Sequence, residues 1–472
     1  MLIPPQEYTR WDAVELARLV RIGELTPDDL AETARALLDA HADLNAVAAT
    51  VPDATVPDAA GRPDATAFDG VFAGVPFAVK ELLAWPGLPW TMGSRLLAHN
   101  PAPGSSPYAQ RLAAAGLRVL CSTTSSEFGI LGSTETALHG VTHNPWGPRL
   151  SAGGSSGGSA ALVAAGVLPM AHGSDAGGSL RLPASLNGIV GFKPSARRCY
   201  PTGPQAPGLG ALVADHVMTR TVRDSAHLLA ATERTGAGAV HAPVGLIEGP
   251  DGARLRVALV TTTLTGREPE EPVRRELDAA AELIAGLGHD VTAVAAPPVD
   301  GEAFSRGFFT TAGLTLAQMA QVMTAMLGRP PQPGELEPFT LELIAWANSL
   351  GPDAAAQAEQ AIGEAAAAYL TLFERCDVVL TPTLPVVPWP IGHLSPDAGR
   401  ETLIRRTEEC VGYTPVHNPA ECPAVSLPLG RHDGLPVGIH LAAAPGADAT
   451  VLRLAYELEA AAPWADLRPG NR

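Results

Sequence analysis

Three features of the sequence predict an α/β architecture. Short apolar runs alternate with helix-like segments along most of the chain, no period of about 20–50 residues recurs, and the composition is that of a packed protein. Hydrophobic residues make up 46% and charged residues 17% of the 472. That length exceeds the size at which one core stops growing, so either one large domain with insertions or two or three domains would account for it.

The elements follow in order. Thr26-Pro-Asp-Asp opens like a helix, with a hydroxyl cap, Pro in the first turn and acids at the positive end, and the apolar positions carry the helix to about Val47. The Pro- and Asp-containing stretch from Val51 to Asp69 reads as a surface loop, and the apolar run Val71 to Val79 as a buried strand ending at Lys80. A helix near Tyr108 to Ala115, a strand Leu117 to Cys121 and a small-residue helix Ser159 to Ala165 come next, then apolar runs at Leu168 to Ala171 and Ile189 to Phe192. Further on lie strand Leu255 to Val260, amphipathic helix Glu270 to Leu287, strands Val291 to Val294, Asp377 to Leu380, Ala424 to Leu427 and Val437 to Leu441, and helix Ala449 to Ala461. Between Glu302 and Arg375 the pattern is helical, with a Pro-rich break at Arg329 to Gly334, and reads as a lobe over the sheet.

The net charge of −17, with no basic stripe to offset it, argues against nucleic acid as a ligand class. The start of the chain lacks a positive n-region and an apolar h-region, and no run of about 18 apolar residues occurs, so no membrane segment and a cytoplasmic location are expected. Cys121, Cys199, Cys376, Cys410 and Cys422 are scattered and lack metal-site spacing, so they are expected to be buried or incidental thiols, with no metal and no cofactor.

The chemistry concentrates in Ser151-Ala-Gly-Gly-Ser-Ser-Gly-Gly-Ser159 and Gly173-Ser-Asp-Ala-Gly-Gly-Ser179, where hydroxyls sit on a backbone nearly free of side chains. Glycine lets such a backbone approach a ligand closely, and successive N–H groups can converge on a developing oxyanion. A serine there needs a base. His172 ends an apolar run and reads as a packed histidine, and no Gly-x-Ser-x-Gly elbow surrounds Ser179. Lys80 offers the other solution, because a buried amine tends to be neutral; a solvated or ion-paired lysine at a strand end is the alternative. A phosphate- or nucleotide-cradling loop is a third option, against which stands the lack of Gly-Lys-Ser/Thr and of Gly-x-Gly-x-x-Gly order.

Taken together, Pro76-Phe-Ala-Val-Lys80, Gly153 to Ser159, Gly173 to Pro183 and Gly188-Ile-Val-Gly-Phe-Lys-Pro194 resemble the amidase signature family, with 75 residues from Lys80 to Ser155 and 24 from Ser155 to Ser179 as in that family. Further matches at Cys376 to Thr383 and Pro423 to Gly430 spread the resemblance over most of the chain, and the subtype pattern is most similar to bacterial amidases of the 6-aminohexanoate cyclic-dimer hydrolase type. The resemblance implies a central mixed, mainly parallel twisted sheet flanked by helices on both faces. It also implies one domain over 1–472, with an N-terminal helical layer at 1–50, a catalytic core at 70–225 and a helical insertion at 302–375.

By the same resemblance Ser179 is the nucleophile, Ser155, preceded by a cis peptide, the bridging serine, and Lys80 the general base. The N–H groups of Ala176, Gly177, Gly178 and Ser179 would receive the oxyanion. Asp175 and Arg181 would brace the loop, and Ser156 is either a hydrogen-bond partner of Lys80 or a turn residue. The implied activity is hydrolysis of a small-molecule amide through a serine acyl-enzyme. Alternatives are a glutamine-hydrolysing amidotransferase subunit or an ester or carbamate hydrolase, and a homodimer is left open. Three positions depart from the family pattern: Glu81 where Asp follows the lysine, Ala176 where Thr or Ile is frequent, and Glu421 where Gly is usual. Trp85, Trp90, Trp346 and Trp389, with Phe308 and Phe309, suit either an apolar acyl pocket or core packing.

Overall fold

The computed structural model describes residues 3–51, 70–202, 208–295 and 299–470. Near the N-terminus, Asp12 caps helix α1 (Ala13–Arg21) by accepting from the Glu15 N–H, and Thr26 and Asp29 form a reciprocal capping box on α2 (Pro27–Ala40). The second helix stops well short of Val47. A tight turn at Ala42–Leu44 leads to Asn45 in the left-handed region (φ 49°), and the chain then enters strand β1 (Val47–Thr50). The N-terminal layer is therefore helical only to Ala40. The loop expected over Val51 to Asp69 lies, apart from Val51, outside the described residues.

Strand β2 (Pro76–Lys80) is shorter than the apolar run that predicts it, because residues 71–74 form a turn that ends at Gly74 (φ 73°). Next come α3 (Pro107–Ala114), β3 (Arg118–Thr123), α4 (Gly157–Ala164), β4 (Met170–Asp175), α5 (Arg181–Asn187), β5 (Val190–Lys193), β6 (Ala214–Thr219) and α6 (Val222–Thr232). They are followed by β7 (Arg256–Leu259), α7 (Glu271–Gly286), β8 (Asp290–Ala293), α8 (Gly301–Leu327), α9 (Pro338–Ser349) and α10 (Ala354–Leu370). Strand β9 (Val378–Pro382), α11 (Arg400–Cys410), β10 (Ala424–His432), β11 (Leu435–Ala443) and α12 (Asp448–Ala461) complete the order.

Eight strands form one sheet in the order β8-β7-β9-β11-β10-β5-β6-β4, and β1-β3-β2 form a smaller one. The large sheet is mixed, with helices on both faces, as expected. It is not mainly parallel: β7 runs parallel to β8 and β9, while the other five neighbouring pairs are antiparallel. For the β10–β11 pair the physical reason is local. Asp433 (φ 47°) and Gly434 (φ 80°) make the two-residue turn that joins β10 and β11 as a hairpin, a connection open only to antiparallel strands.

Alternation along the strands separates the two faces. Phe192, Val425, Leu427, Ile439 and Leu441 turn toward one apolar cluster with Leu277 and Ile284 of α7 and Val451 and Leu458 of α12. Helix α5 lies against the opposite face, so closely that a Cβ on Gly191 or Gly438 would run into Ala184 or Ser185. Glycines in both strands thus let α5 sink onto the sheet. The helical lobe packs α8 against α9 and α10, and Leu182 and Leu186 of α5 share a cluster with Phe309 and Leu316 of α8. This brings the lobe over the segment that precedes α5. Among the described residues no helix is long and apolar enough to cross a membrane.

Candidate active site

Strand β2 is buried along its whole length, and its last residue, Lys80, is 0% exposed. Its Nζ lies 2.6 Å from Ser155 Oγ and 3.0 Å from Ser174 Oγ. Burial pushes the amine down to about 7, against the opposing pull of the Asp215, Asp175 and Glu81 carboxylates. The sequence holds only one other lysine, Lys193, also buried, with Nζ donating to the Pro194 carbonyl at 3.0 Å.

Ser155 follows a cis peptide bond from Gly154, and a Cβ at Gly154 would overlap the backbone of Ser133, so only glycine lets the two segments approach this closely. Helix α4 begins two residues later with Ser156 at its N-cap. The Ser156 hydroxyl reaches the Ser174 carbonyl at 3.3 Å and not Lys80, which makes it a turn residue. The second hydroxyl on the amine belongs to Ser174, which motif reading passes over. A signal existed: His172 and Ser174 are two apart in a strand and share a face, and His172 Nδ1 accepts the Lys80 N–H at 3.3 Å. His172 itself is packed, with Nε2 3.2 Å from Asp215 Oδ1, an arrangement that makes Nε2 the protonated nitrogen.

The segment from Asp175 to Arg181 folds around one carboxylate. Asp175 Oδ1 accepts the Gly178 N–H at 2.7 Å, and Oδ2 accepts the Leu180 N–H at 3.2 Å. Arg181 grips both oxygens at 2.9 Å. Burial works against this charge, and the Arg181 guanidinium outweighs it, holding the carboxyl well below the usual range. Arg181 is 0% exposed and spends its remaining donors on the Thr414 carbonyl, Asn418 Oδ1 and the rings of His417 and His440. The Asp175–Arg181 pair is thus a brace for the loop.

This wrapping corrects the expected donor set. The Gly178 N–H is taken by Asp175 and is not available to an oxyanion, whereas those of Ala176, Gly177 and Ser179 donate to no acceptor among the described residues. Gly178 (φ 137°) occupies a conformation closed to other residues, and its Cβ would overlap Thr414 Oγ1. Thr414 also donates to the Gly177 carbonyl at 2.8 Å, which fixes the loop from its other side.

Ala176, Gly177 and Ser179 open onto a cavity of about 90 Å³. Leu131, Leu182, Phe304, Phe308, Phe309 and Val411 supply apolar walls, and Glu408 is the one charged side chain among the described lining residues. Phe308 and Phe309 thus face the cavity, while the four tryptophans singled out by sequence lie elsewhere. Gly129 also lines it, and a Cβ there would come within 3.4 Å of Ser155 Oγ, so the Ser155 hydroxyl sits just behind the wall. Lys80 and Ser155 are brought into contact; no hydrogen bond joins Ser155 to Ser179 among the described residues. Such contacts are often loose before substrate binds.

Two departures from pattern find partners. Glu81 is 1% exposed and accepts from Thr91, from the N–H and hydroxyl of Ser125, and lies 2.9 Å from His139 Nε2, so its longer carboxylate braces the neighbouring loop and makes no bond to Lys80. Glu421 keeps the left-handed backbone (φ 57°) that glycine would adopt freely, paired with Arg197 at 2.7 Å. Among the described residues no group of three metal-ligating side chains occurs, and all five cysteines are free thiols, four of them buried.

Comparison with known proteins gives concordant matches. The Amidase family profile matches residues 30–452. AmiC of Mycobacterium tuberculosis is 37% identical over 465 residues, covering 98% of this chain and 96% of that protein. An acylamidase of Rhodococcus erythropolis is 32% identical over 492 residues, covering 99% and 98%. The solved structure of a 6-aminohexanoate cyclic dimer hydrolase superposes with a TM-score of 0.87 at 28% identity, covering 98% and 99%.

Proposed function

The chain belongs to the amidase family and hydrolyses an amide C–N bond, and from that premise we propose that Ser179 is its nucleophile, Ser155 its proton bridge and Lys80 its base. The observation that carries the assignment is the 2.6 Å contact between a fully buried lysine and the Ser155 hydroxyl. A lysine whose ammonium is disfavoured by burial holds a lone pair near neutral pH, which an exposed lysine does not.

In the forward step Ser155 gives its proton to Lys80 Nζ as it takes one from Ser179, whose oxygen attacks the amide carbonyl. The N–H groups of Ala176, Gly177 and Ser179 receive the charge that develops on the carbonyl oxygen. Collapse of the tetrahedral adduct breaks the C–N bond, and the leaving nitrogen takes a proton from Ser155, which Lys80 replenishes. A water then uses the same relay to attack the acyl-enzyme, releasing the acid and restoring the Ser179 hydroxyl.

The substrate is a small amide with an apolar acyl or aryl part, in keeping with the walls of the cavity. Free glutamine fits less well, since no Arg, Lys or His among the described lining residues would meet its α-carboxylate. We take residues 1–472 as one amidase domain, with the 302–375 lobe supplying a cavity wall. The net charge of −17 argues against a nucleic-acid partner, and the five free thiols fit a reducing cytoplasm. A serine-trapping phosphonate tests the nucleophile: mass spectrometry should find one adduct, on the peptide containing Ser179, and an adduct on any other serine overturns the assignment.

A further inference from the structure

The cavity wall holds one charge that hydrolysis does not require. Glu408 on α11 and Ser305 on α8 both line the cavity, and the Ser305 hydroxyl donates to Glu408 Oε1 at 2.5 Å. The bond fixes the carboxylate across the gap between the two helices and leaves Oε2 without a protein partner among the described residues. Nearby arginines point elsewhere: Arg405 and Arg267 pair with Glu409 at 2.9 and 3.6 Å, and Arg406 donates to the His393 carbonyl at 2.9 Å.

A half-buried carboxylate that is hydrogen-bonded on one oxygen and lines the cavity together with Phe304, Phe308 and Val411 has no ion-pair partner among the described residues. Apolar walls lower the local dielectric and so strengthen its interaction with whatever enters. A primary ammonium answers that need, with three donors and one positive charge, whereas a substrate carboxylate would be repelled.

We propose that Glu408 is a specificity residue that selects amides carrying a protonated amine on the part of the substrate remote from the scissile bond. The alkyl or aryl spacer lies along the apolar walls while the ammonium bonds Glu408 Oε2. This inference rests on the reading that Ser179 meets its substrate in the same cavity.

The test uses the full-length enzyme and three anilides of matched length whose acyl chains end in an ammonium, a methyl and a carboxylate group. The readout is the ratio of kcat/KM between them. The wild type should favour the ammonium anilide over the methyl one, and E408Q should lower that ratio on the order of 10- to 100-fold, the range of a charge-assisted hydrogen bond, mainly through KM. E408K should shift preference toward the carboxylate anilide. Thermal melting identifies any variant that fails to fold, and the wild-type ratio alone still decides: equal rates on the ammonium and methyl anilides overturn the proposal, as does an E408Q ratio equal to the wild type's. If Ser179→Ala continues to turn over all three anilides, it is instead the assignment of Ser179 that falls.

Discussion

The Ser174 hydroxyl lies 3.0 Å from Lys80 Nζ, so the buried amine is held between two hydroxyls, Ser174 on β4 and Ser155 beside the cavity wall. In the relay proposed above only Ser155 passes a proton to and from Ser179. Ser174 is therefore a positioning residue, and its oxygen, an acceptor, favours the charged form of the amine. Ser174→Ala should lower kcat about tenfold and move the acid limb of the pH–rate profile to lower pH. A loss of rate with the limb unmoved would reduce Ser174 to a packing role.

Burial of Lys80 carries a stability cost with a defined pH window. Its folded-state value of about 7 lies below its ordinary 10.5, so between those limits the unfolded chain binds more protons and stability rises with pH. Lys193, pushed down to about 8, adds to the same trend over the upper part of that window. Lys80→Met should be inactive yet more stable at pH 7, and its gain between pH 7 and 9.5 should fall short of the wild type's by on the order of 2–3 kcal/mol in urea titrations. Equal gains would mean that Lys80 is not desolvated.

Asp175 and Arg181 form a buried pair, and leaving either alone strands a charge. Asp175→Asn and Arg181→Met should each cost about 3–5 kcal/mol of stability and, in whatever remains folded, disturb the loop donors enough to lower kcat about 10²–10³-fold. Arg181→Lys should not rescue, because one ammonium cannot copy the two-pronged grip. The depressed Asp175 carboxyl adds stability that is fully present above about pH 4 and is lost as pH falls toward its lower folded value. Acid unfolding of the wild type monitored by circular dichroism checks the sign.

The two loop glycines should respond differently to alanine. At Gly178 a methyl meets Thr414 and Leu182 in a backbone conformation that L-residues avoid, so Gly178→Ala should lose both stability and kcat. At Gly177 the methyl comes 3.1 Å from the Phe308 ring edge, within the cavity, and should raise KM for bulky acyl groups while the melting temperature stays close to the wild type's. Matching effects in melting and kinetic assays for both variants would contradict this division.

Local sequence carried the site's chemistry further than its geometry. Lys80, Ser155, Ser179, Asp175 and Arg181 stand in motifs that resemble those of the amidase signature family, and that resemblance supplies their expected roles. Arg181's other partners, Thr414, His417, Asn418 and His440, come from more than 230 residues away, and no local pattern links them. The loss of Gly178 as an oxyanion donor depends on which way Asp175 turns, and composition is silent on that. Strand direction is partly legible: Asp433-Gly434 between two apolar runs is a hairpin signal, which argues for an antiparallel pair there. The end of α2 at Ala40 was hidden because the apolar positions continue through Leu44 and Val47 into the next turn and strand.

With only Lys80 and Lys193 in the chain, lysine labelled with 13C at Cε gives two resonances, and Lys80→Met assigns them. The Lys80 signal should titrate with a midpoint near 7 and coincide with the acid limb of kcat/KM. A Lys80 resonance that stays in its protonated position up to pH 10 while amide hydrolysis proceeds at neutral pH would contradict a neutral amine driving the serine relay.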